Sequence, residues 1–468
     1  MQPTRRQVIK VVAGTGVAAG LGPLAPGTAQ AAMGTGDGDT VIERDVCVLG
    51  GGDSGTYTAV RLTDFGQSVV VVEKTGRLGG HCQTYTDPAS GLTTDIGVMV
   101  FNDSPVTRDF FARFDVAVGK FDFAGPPTTY ADFRTGQVVA GYTPPVPTAL
   151  EAYLELAAQY PSLAAGYYLP DPVPAELLMP WGEFVVEHGL QSIVTLVNTY
   201  GQGFAHIMEM PTVYILRYFN TQVVTELAAQ DFLTTVNHDN SAVFEAAGSY
   251  LGPNVLLNTT VVAGRRGADG VELLAVGPQG SVTIRAGKLV ITAPPQPVPL
   301  APFDLDATEF DLFSRFSHGN YYTGLVELPG VPSDTLVQNI GADTQYNLAP
   351  LPALLSLSPS YVPGLFNVKA ASDIPLDDPA ARRMILANLT RLQQAGTIPT
   401  TEPAFADYSG HIPYEMTVSA KDVAAGFYAQ FYGLQGRRST YWNGAAFYAH
   451  DASGLWQFTE TLLPQIVG

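Results

Sequence analysis

The chain has 468 residues, 46% hydrophobic and 14% charged, with a formal net charge of −19. That is more chain than one hydrophobic core usually serves, so two subdomains are expected, and so acidic a balance excludes nucleic acid as a partner and disfavours anionic membrane surfaces. Only two cysteines, Cys47 and Cys82, and seven histidines without HxxxH or HxH spacing exclude a disulfide scaffold and argue against a dedicated metal site.

The first 31 residues form an address. Thr4-Arg5-Arg6-Gln7-Val8-Ile9-Lys10 has the twin-arginine pattern, residues 11–24 are apolar and glycine-rich, and Ala29-Gln30-Ala31 offers a small-x-small cleavage signal before Ala32. The apolar stretch is too short, and too interrupted by Gly and Pro, for a stable membrane span. The expectation is export by the twin-arginine translocation machinery, to a secreted, periplasmic or cell-envelope location. That route carries folded proteins, which suits one that loads a non-covalent cofactor before export.

Beyond a Gly/Asp-rich spacer, Asp45-Val46-Cys47-Val48-Leu49 predicts a buried strand, residues 50–55 a glycine turn, 56–65 a helix, and 68–72 a second apolar strand ending at Glu73. This is βαβ order with the lengths of a parallel sheet. Residues 105–235 change to helical periodicity through 148–159, 181–190 and 211–231, and predict a largely helical insert. Strand patterns return at 255–257, 261–263, 271–275, 282–285 and 289–292. Segments around 321–327 and 354–357 suit a second sheet, 377–394 a helix, 440–442 a strand and 454–463 a final helix.

Gly50, Gly52 and Gly55 form GxGxxG between a strand and a helix. The first glycine makes a tight turn, the second admits a pyrophosphate to the backbone, and the third lets helix pack on strand, while the helix N-terminus offers unpaired N–H groups to the anion. Asp53 and Ser54 lie within that turn. Glu73, eighteen residues after Gly55, has the spacing of the acid that accepts hydrogen bonds from an adenosine ribose. Lys74 follows it, and then Arg77-Leu78-Gly79-Gly80-His81, in which Arg77 is a candidate phosphate contact or a surface ion pair, and Gly80 a close-approach position. Asp95-Ile96-Gly97 supplies another such glycine, next to Val98.

Together these motifs resemble the FAD-containing amine oxidase superfamily, which includes flavin amine oxidases and phytoene-type desaturases. The resemblance implies FAD as cofactor and an α/β fold of two domains. A discontinuous Rossmann-like FAD-binding domain would use residues 40–105, 236–300 and 405–468, and a helical-plus-sheet substrate domain 106–235 and 301–404. It also implies that Gly97 and Val98 lie near the isoalloxazine, that Val261 and Gly444 contribute to the cofactor site, and that a helix N-terminus at Ser453-Gly454-Leu455 faces the N1/O2 edge. Ala445 departs from the acidic residue usual after the last-motif glycine.

Two further stretches are similar to bacterial polyenoic fatty acid isomerases: residues 179–218 with His206, and residues 408–444 with the run Gln435-Gly436-Arg437-Arg438-Ser439-Thr440-Tyr441-Trp442-Asn443-Gly444. That family implies hydride abstraction from a bis-allylic carbon and its return elsewhere, on an apolar unsaturated substrate. An arginine holding the substrate carboxylate would fall after residue 120, where Arg134 is the nearest. Phe204, Tyr214, Tyr218 and Phe219 are candidates to line an apolar tunnel or are ordinary helix core. His206 and Tyr218 are catalytic candidates beside the flavin itself, with His206 also readable as structural. Lys369, one of six lysines, is the candidate for an amine-oxidase-type lysine or an exposed strand-end residue. Three functions stand in order: an FAD-dependent isomerase, a flavin oxidase or desaturase using oxygen or another acceptor, and a flavin-containing ligand-binding protein.

Overall fold

A computed structural model describes residues 40–468; the export signal expected at residues 1–31 lies outside the described residues. The first strand, Thr40–Leu49, and Val69–Val72 pair in parallel, with Val46 opposite Val69 and Leu49 opposite Val72, and the helix Asp53–Asp64 makes the crossover. Every residue of Val69–Val72 is buried, as expected of a strand covered on both faces. The seven-stranded first sheet runs Thr260–Gly267, Gly270–Gly277, Gly280–Ile291, Thr40–Leu49, Val69–Val72, Val255–Leu256, with Thr440–Trp442 also paired to Gly280–Ile291. The last helix, Ala452–Val467, packs against Asp53–Asp64, and Trp456 stacks on Tyr57 at 5.5 Å between ring centroids.

The second seven-stranded sheet runs Ala404–Thr417, Ser317–Glu327, Leu365–Ser372, Ala353–Pro359, Leu336–Asn339, Thr128–Asp132, Gln137–Val138. Alternation decides its two faces. Tyr322, Val326, Val368 and Ala370 join the core formed with the helix Asp378–Gln394. The opposite face carries Tyr321, Thr323, Lys369 and His411, since Thr323 stands opposite Lys369 and Tyr321 opposite His411.

The α/β architecture with a parallel βαβ start and a second sheet agrees with the expected fold class, while several boundaries differ. Ala404–Thr417 was expected in the dinucleotide-binding part and is instead an edge strand of the second sheet, paired along Ser317–Glu327. The largely helical insert at 105–235 also contributes Thr128–Asp132 and Gln137–Val138 to that sheet. Residues 282–285 and 289–292 belong to one strand, which pairs antiparallel with Gly270–Gly277 at its start and parallel with Thr40–Leu49 along its length. The helix expected over 211–231 is two helices, Thr212–Tyr218 and Thr221–Ala229; the Asn220 side chain accepts from the N–H groups of Gln222 and Val223 and starts the second.

The Gln-Gly-Arg-Arg run is a structural clasp. Arg266, on Thr260–Gly267, is fully buried and paired with Glu309 at 2.6 Å; it also donates to Thr440 Oγ1 and to the carbonyl of Phe303. Arg438 donates to the carbonyls of Arg266 and Asp304 and to the Asp304 carboxylate, and Arg437 pairs with Asp306. These bonds hold the strand Thr440–Trp442 and its glycine turn against the sheet. Removing one member of a buried pair leaves an uncompensated charge, at a cost of about 3–5 kcal/mol. Arg266→Met is therefore expected to lower unfolding stability by about that amount in denaturant titrations, and the double variant Arg266→Met/Glu309→Leu to recover a large part of it.

Candidate functional site

Three glycine contacts build the site's floor. A β-carbon on Gly55 would sit 1.9 Å from the Gly50 carbonyl oxygen, and Gly50 itself has φ +96°, so the turn and the helix–strand contact both require glycine. A β-carbon on Gly80 would lie 2.9 Å from Gly52 Cα, and one on Gly97 1.7 Å from the His81 carbonyl oxygen. The Gly79 N–H donates to Gly51 O, and Val98 N–H to His81 O, so the three glycine segments are stitched edge to edge by backbone.

Gly52 is different. A β-carbon there would meet nothing nearer than Gly80 Cα at 4.0 Å, so packing with the protein does not demand a glycine. The helix that starts after it has no side-chain cap on its first-turn N–H groups. An uncapped helix N-terminus behind a smooth backbone turn, with Asp53 and Ser54 in its first turn, fits a pyrophosphate. The FAD fit thus rests on Gly50, Gly52 and Gly55 and on Glu73, whose oxygens accept from Gly51 N–H and Thr75 N–H at 2.7 Å each. Those bonds fix the carboxylate and leave it further lone pairs with which it would accept from the ribose of a bound FAD. Burial pushes the Asp53 carboxyl up to about 6, against the lowering effect of the Ser54 N–H.

Other expected positions are corrected by the geometry. Arg77 donates to the carbonyls of Leu78, Gly80 and Cys82 and to Gln83 Oε1, so it braces its own loop and forms no surface ion pair among the described residues. Lys74 is exposed and Val261 buried in its strand. Gly444 takes φ +106°, and a β-carbon there would lie 2.9 Å from Thr292 O, so its glycine is a backbone requirement. The N-terminus of the last helix is occupied: Asp451 Oδ1 accepts from Gly454 N–H at 3.0 Å and from Ser453 Oγ at 2.8 Å. The helix thus starts at Ala452, beside the expected Ser453-Gly454-Leu455, with Asp451 capping one of its first-turn amides and adding a carboxylate there.

Above this floor, side chains from distant segments meet. The His81 ring lies 4.2 Å from His411 and 5.8 Å from His450, and Tyr414 lies 4.1 Å from His450 and 5.1 Å from Tyr321, all between ring centroids. Thr323 Oγ1 and His411 Nε2 are 3.2 Å apart. Burial holds His81 well below the ordinary imidazole range and His411 at about 3, with His450 adding to both effects, so both rings are neutral at pH 7. Burial likewise holds the Tyr218, Tyr321 and Tyr414 phenols protonated. Asp95, pushed by burial to about 7, accepts from Thr84 Oγ1 and Asn240 N–H, and Asn240 donates to the carbonyls of Val98 and Met99; this network sets the Gly97 loop.

Of the catalytic candidates, Tyr218 lies within electrostatic reach of Glu415 and Asp451. Lys369 is on the sheet face that carries Tyr321 and His411, and burial lowers its pKa; it is not an exposed strand-end residue. His206 is exposed and 3.4 Å from Asp373, a surface pair. Tyr214 and Phe219 are core: the Tyr214 hydroxyl bonds Val418 O and Tyr428, and Phe219 packs on Tyr153. Phe204 is buried against Tyr218. Arg134 is paired with Asp132 and Asp343 at the surface. His411, Tyr414, Glu415 and His450 were not singled out from the sequence, because only long-range packing brings the strand holding residues 411–415 to His81 and His450. Among the described residues no group of His, Cys, Asp and Glu is arranged to hold a metal ion, and no helix is long and apolar enough to cross a membrane.

The comparisons with known proteins agree with this geometry. Residues 54–191 match the model of the flavin containing amine oxidoreductase family. The chain is 38% identical to the FAD-dependent oxidoreductase oblC of Cochliobolus heterostrophus, over 91% of this chain and 92% of that protein. It is 34% identical to a beta-cyclopiazonate dehydrogenase of Aspergillus oryzae, over 92% and 94%. Among solved structures, a CLA-producing fatty acid isomerase from P. acnes superposes with a TM-score of 0.73 at 19% identity, covering 90% of this chain and 98% of that one. A putrescine oxidase superposes with a TM-score of 0.62 at 15% identity, covering 91% and 99%.

The neutral histidines carry a pH signature. His411 binds a proton in the unfolded chain below about 6.5 but in the folded protein only below about 3. Between those values the unfolded state holds more protons, so this contribution makes stability fall as pH drops from about 6.5 toward 3 and leaves it flat above. Asp95 contributes the opposite slope, so single variants separate them. His411→Gln should lose stability more slowly than the wild type on acidification across that window, measured by thermal midpoints from pH 4 to 8.

Proposed function

Since this chain belongs to the FAD-dependent, flavin-containing amine oxidoreductase family, we propose that it dehydrogenates an apolar small molecule held against the aromatic cluster of Tyr218, Tyr321, Tyr414 and His450. FAD supplies the two-electron acceptor. The chain's own part is to bind, orient and exclude water. Tyr321, Tyr414 and the neutral His81 and His411 offer flat surfaces without charge, which suit an apolar substrate better than a solvated cation. The Asp95–Asn240 network and the Gly97–His81 contact hold the loop next to that surface, which matters because an ångström of misplacement can cost about 100-fold in rate.

The observation that carries this reading is the convergence of neutral aromatic and imidazole rings on the His81–Val98 junction. The likeness over nine-tenths of the chain to oxidoreductases, one of them named a dehydrogenase, supports it. A redox-neutral migration of a double bond in an unsaturated fatty acid is the second reading, supported by the fold shared with the P. acnes isomerase. It ranks second because the Gln-Gly-Arg-Arg run behind that resemblance clasps the sheet, so it speaks for fold. We also propose export through the twin-arginine route, supported by the pattern at residues 4–10 and by the use of a cofactor loaded before export.

Anaerobic incubation of the yellow holoenzyme with linoleate separates the two reactions. The dehydrogenase reading expects no conjugated-diene absorbance; diene accumulating while the flavin spectrum stays oxidised would replace it with isomerisation. For export, Arg5→Lys/Arg6→Lys should retain the protein in the cytoplasm with its signal uncleaved, and unchanged export of that variant would remove the twin-arginine proposal.

A further inference from the structure

Two arginines are fully buried, and they are opposites. Arg266 has a carboxylate, a hydroxyl and two carbonyls for its guanidinium. Arg217, on the cap helix Thr212–Tyr218, has 0% exposure, and none of its Nε, Nη1 or Nη2 atoms has a hydrogen-bond partner. Its Cζ lies 3.3 Å from the centroid of the Tyr448 ring. A ring beneath the guanidinium satisfies one face of the cation and leaves its in-plane N–H bonds open.

None of the hydroxyls around it accepts a hydrogen bond from the guanidinium. Tyr448 donates to Ala164 O, Tyr432 to Phe447 O, and Tyr214 to Val418 O. Glu415 acts with Arg217 on Tyr167, and Asp451 acts with Arg217 on Tyr448, yet no ion pair joins either carboxylate to the guanidinium. Glu415 sits at φ +48°, 7% exposed, 3.5 Å from His450 Nδ1, with its Oε1 unpartnered. Leaving a buried guanidinium without an acceptor costs several kcal/mol, so a partner from outside the chain accounts for it best.

We propose that Arg217 is the anchor for a delocalised oxyanion, a carboxylate or enolate, on the otherwise apolar substrate. This deepens the dehydrogenase reading and rests on it. The planar fork of Arg217 takes a two-oxygen anion side-on, and Tyr448 fixes the plane of that fork. Tyr448, the ring beneath Arg217, lies two residues before His450, whose ring is 4.1 Å from Tyr414, so an anion held at Arg217 would sit at the edge of that ring cluster.

The test uses benzoate, a flat aromatic carboxylate, and benzamide, its neutral near-isostere, titrated calorimetrically into the FAD-loaded full chain. Benzoate is expected to bind about tenfold or more tighter than benzamide, and Arg217→Met to bring the ratio to about one with flavin content unchanged. Arg217→Lys, the milder change if the methionine variant does not fold, should restore part of the preference. Equal binding of the two ligands to the wild type, or a benzoate preference surviving in either variant at wild-type size, overturns the proposal. So does an Arg217→Lys variant that loses flavin or folding, since that marks the residue as structural. Flavin content of the wild type is scored separately: a colourless wild type sinks the flavoenzyme reading whatever the benzoate titration returns.

Discussion

The structure depends on backbone approaching backbone where no side chain fits. Gly55 against Gly50, Gly80 against Gly52, and Gly97 against the His81 carbonyl bring a strand end, a helix start and two loops within distances that a single β-carbon would forbid. The outcome is an edge made of peptide groups, with the Glu73 carboxylate pinned by two of them. Such an edge is shaped for a long, flat, negatively charged cofactor, because N–H groups reach an anion without a flexible side chain having to be ordered.

Electrostatics then divides the molecule. One helix N-terminus, at Asp53–Asp64, is left without a side-chain cap, while the other, at Ala452–Val467, is closed by Asp451. The uncapped end suits a phosphate, and the capped end puts a carboxylate beside the aromatic cluster. The two buried arginines follow the same division. Arg266 is saturated and belongs to the architecture, whereas Arg217 has open N–H bonds beside the rings proposed to meet substrate. A buried charge is expensive in either case, and where its hydrogen bonds end tells which task it serves.

The same scaffold is shared with an isomerase and a putrescine oxidase at low identity, and with oxidoreductases at higher identity. Fold alone does not choose among those chemistries. The groups proposed to make that choice come from three places: Tyr218 on the cap, Tyr321, Lys369, His411 and Tyr414 on the second sheet, and His450 just before the last helix.

The parallel βαβ start, the GxGxxG turn, Glu73 and the Gly97 loop were legible in the linear chain, because each is a local requirement: a spacing, a strand period, or a position with room only for hydrogen. The second sheet's face was not, since Ala404–Thr417 joins Ser317–Glu327 across many intervening residues and its pairing decides which side His411 takes. The meeting of His81, His411 and His450, the local bracing by Arg77 and the isolation of Arg217 are likewise products of tertiary packing. Periodicity and motif spacing report which groups a segment offers; which of them end up satisfied, and which face one another, is set only when distant segments compete for the same hydrogen bonds and the same interior.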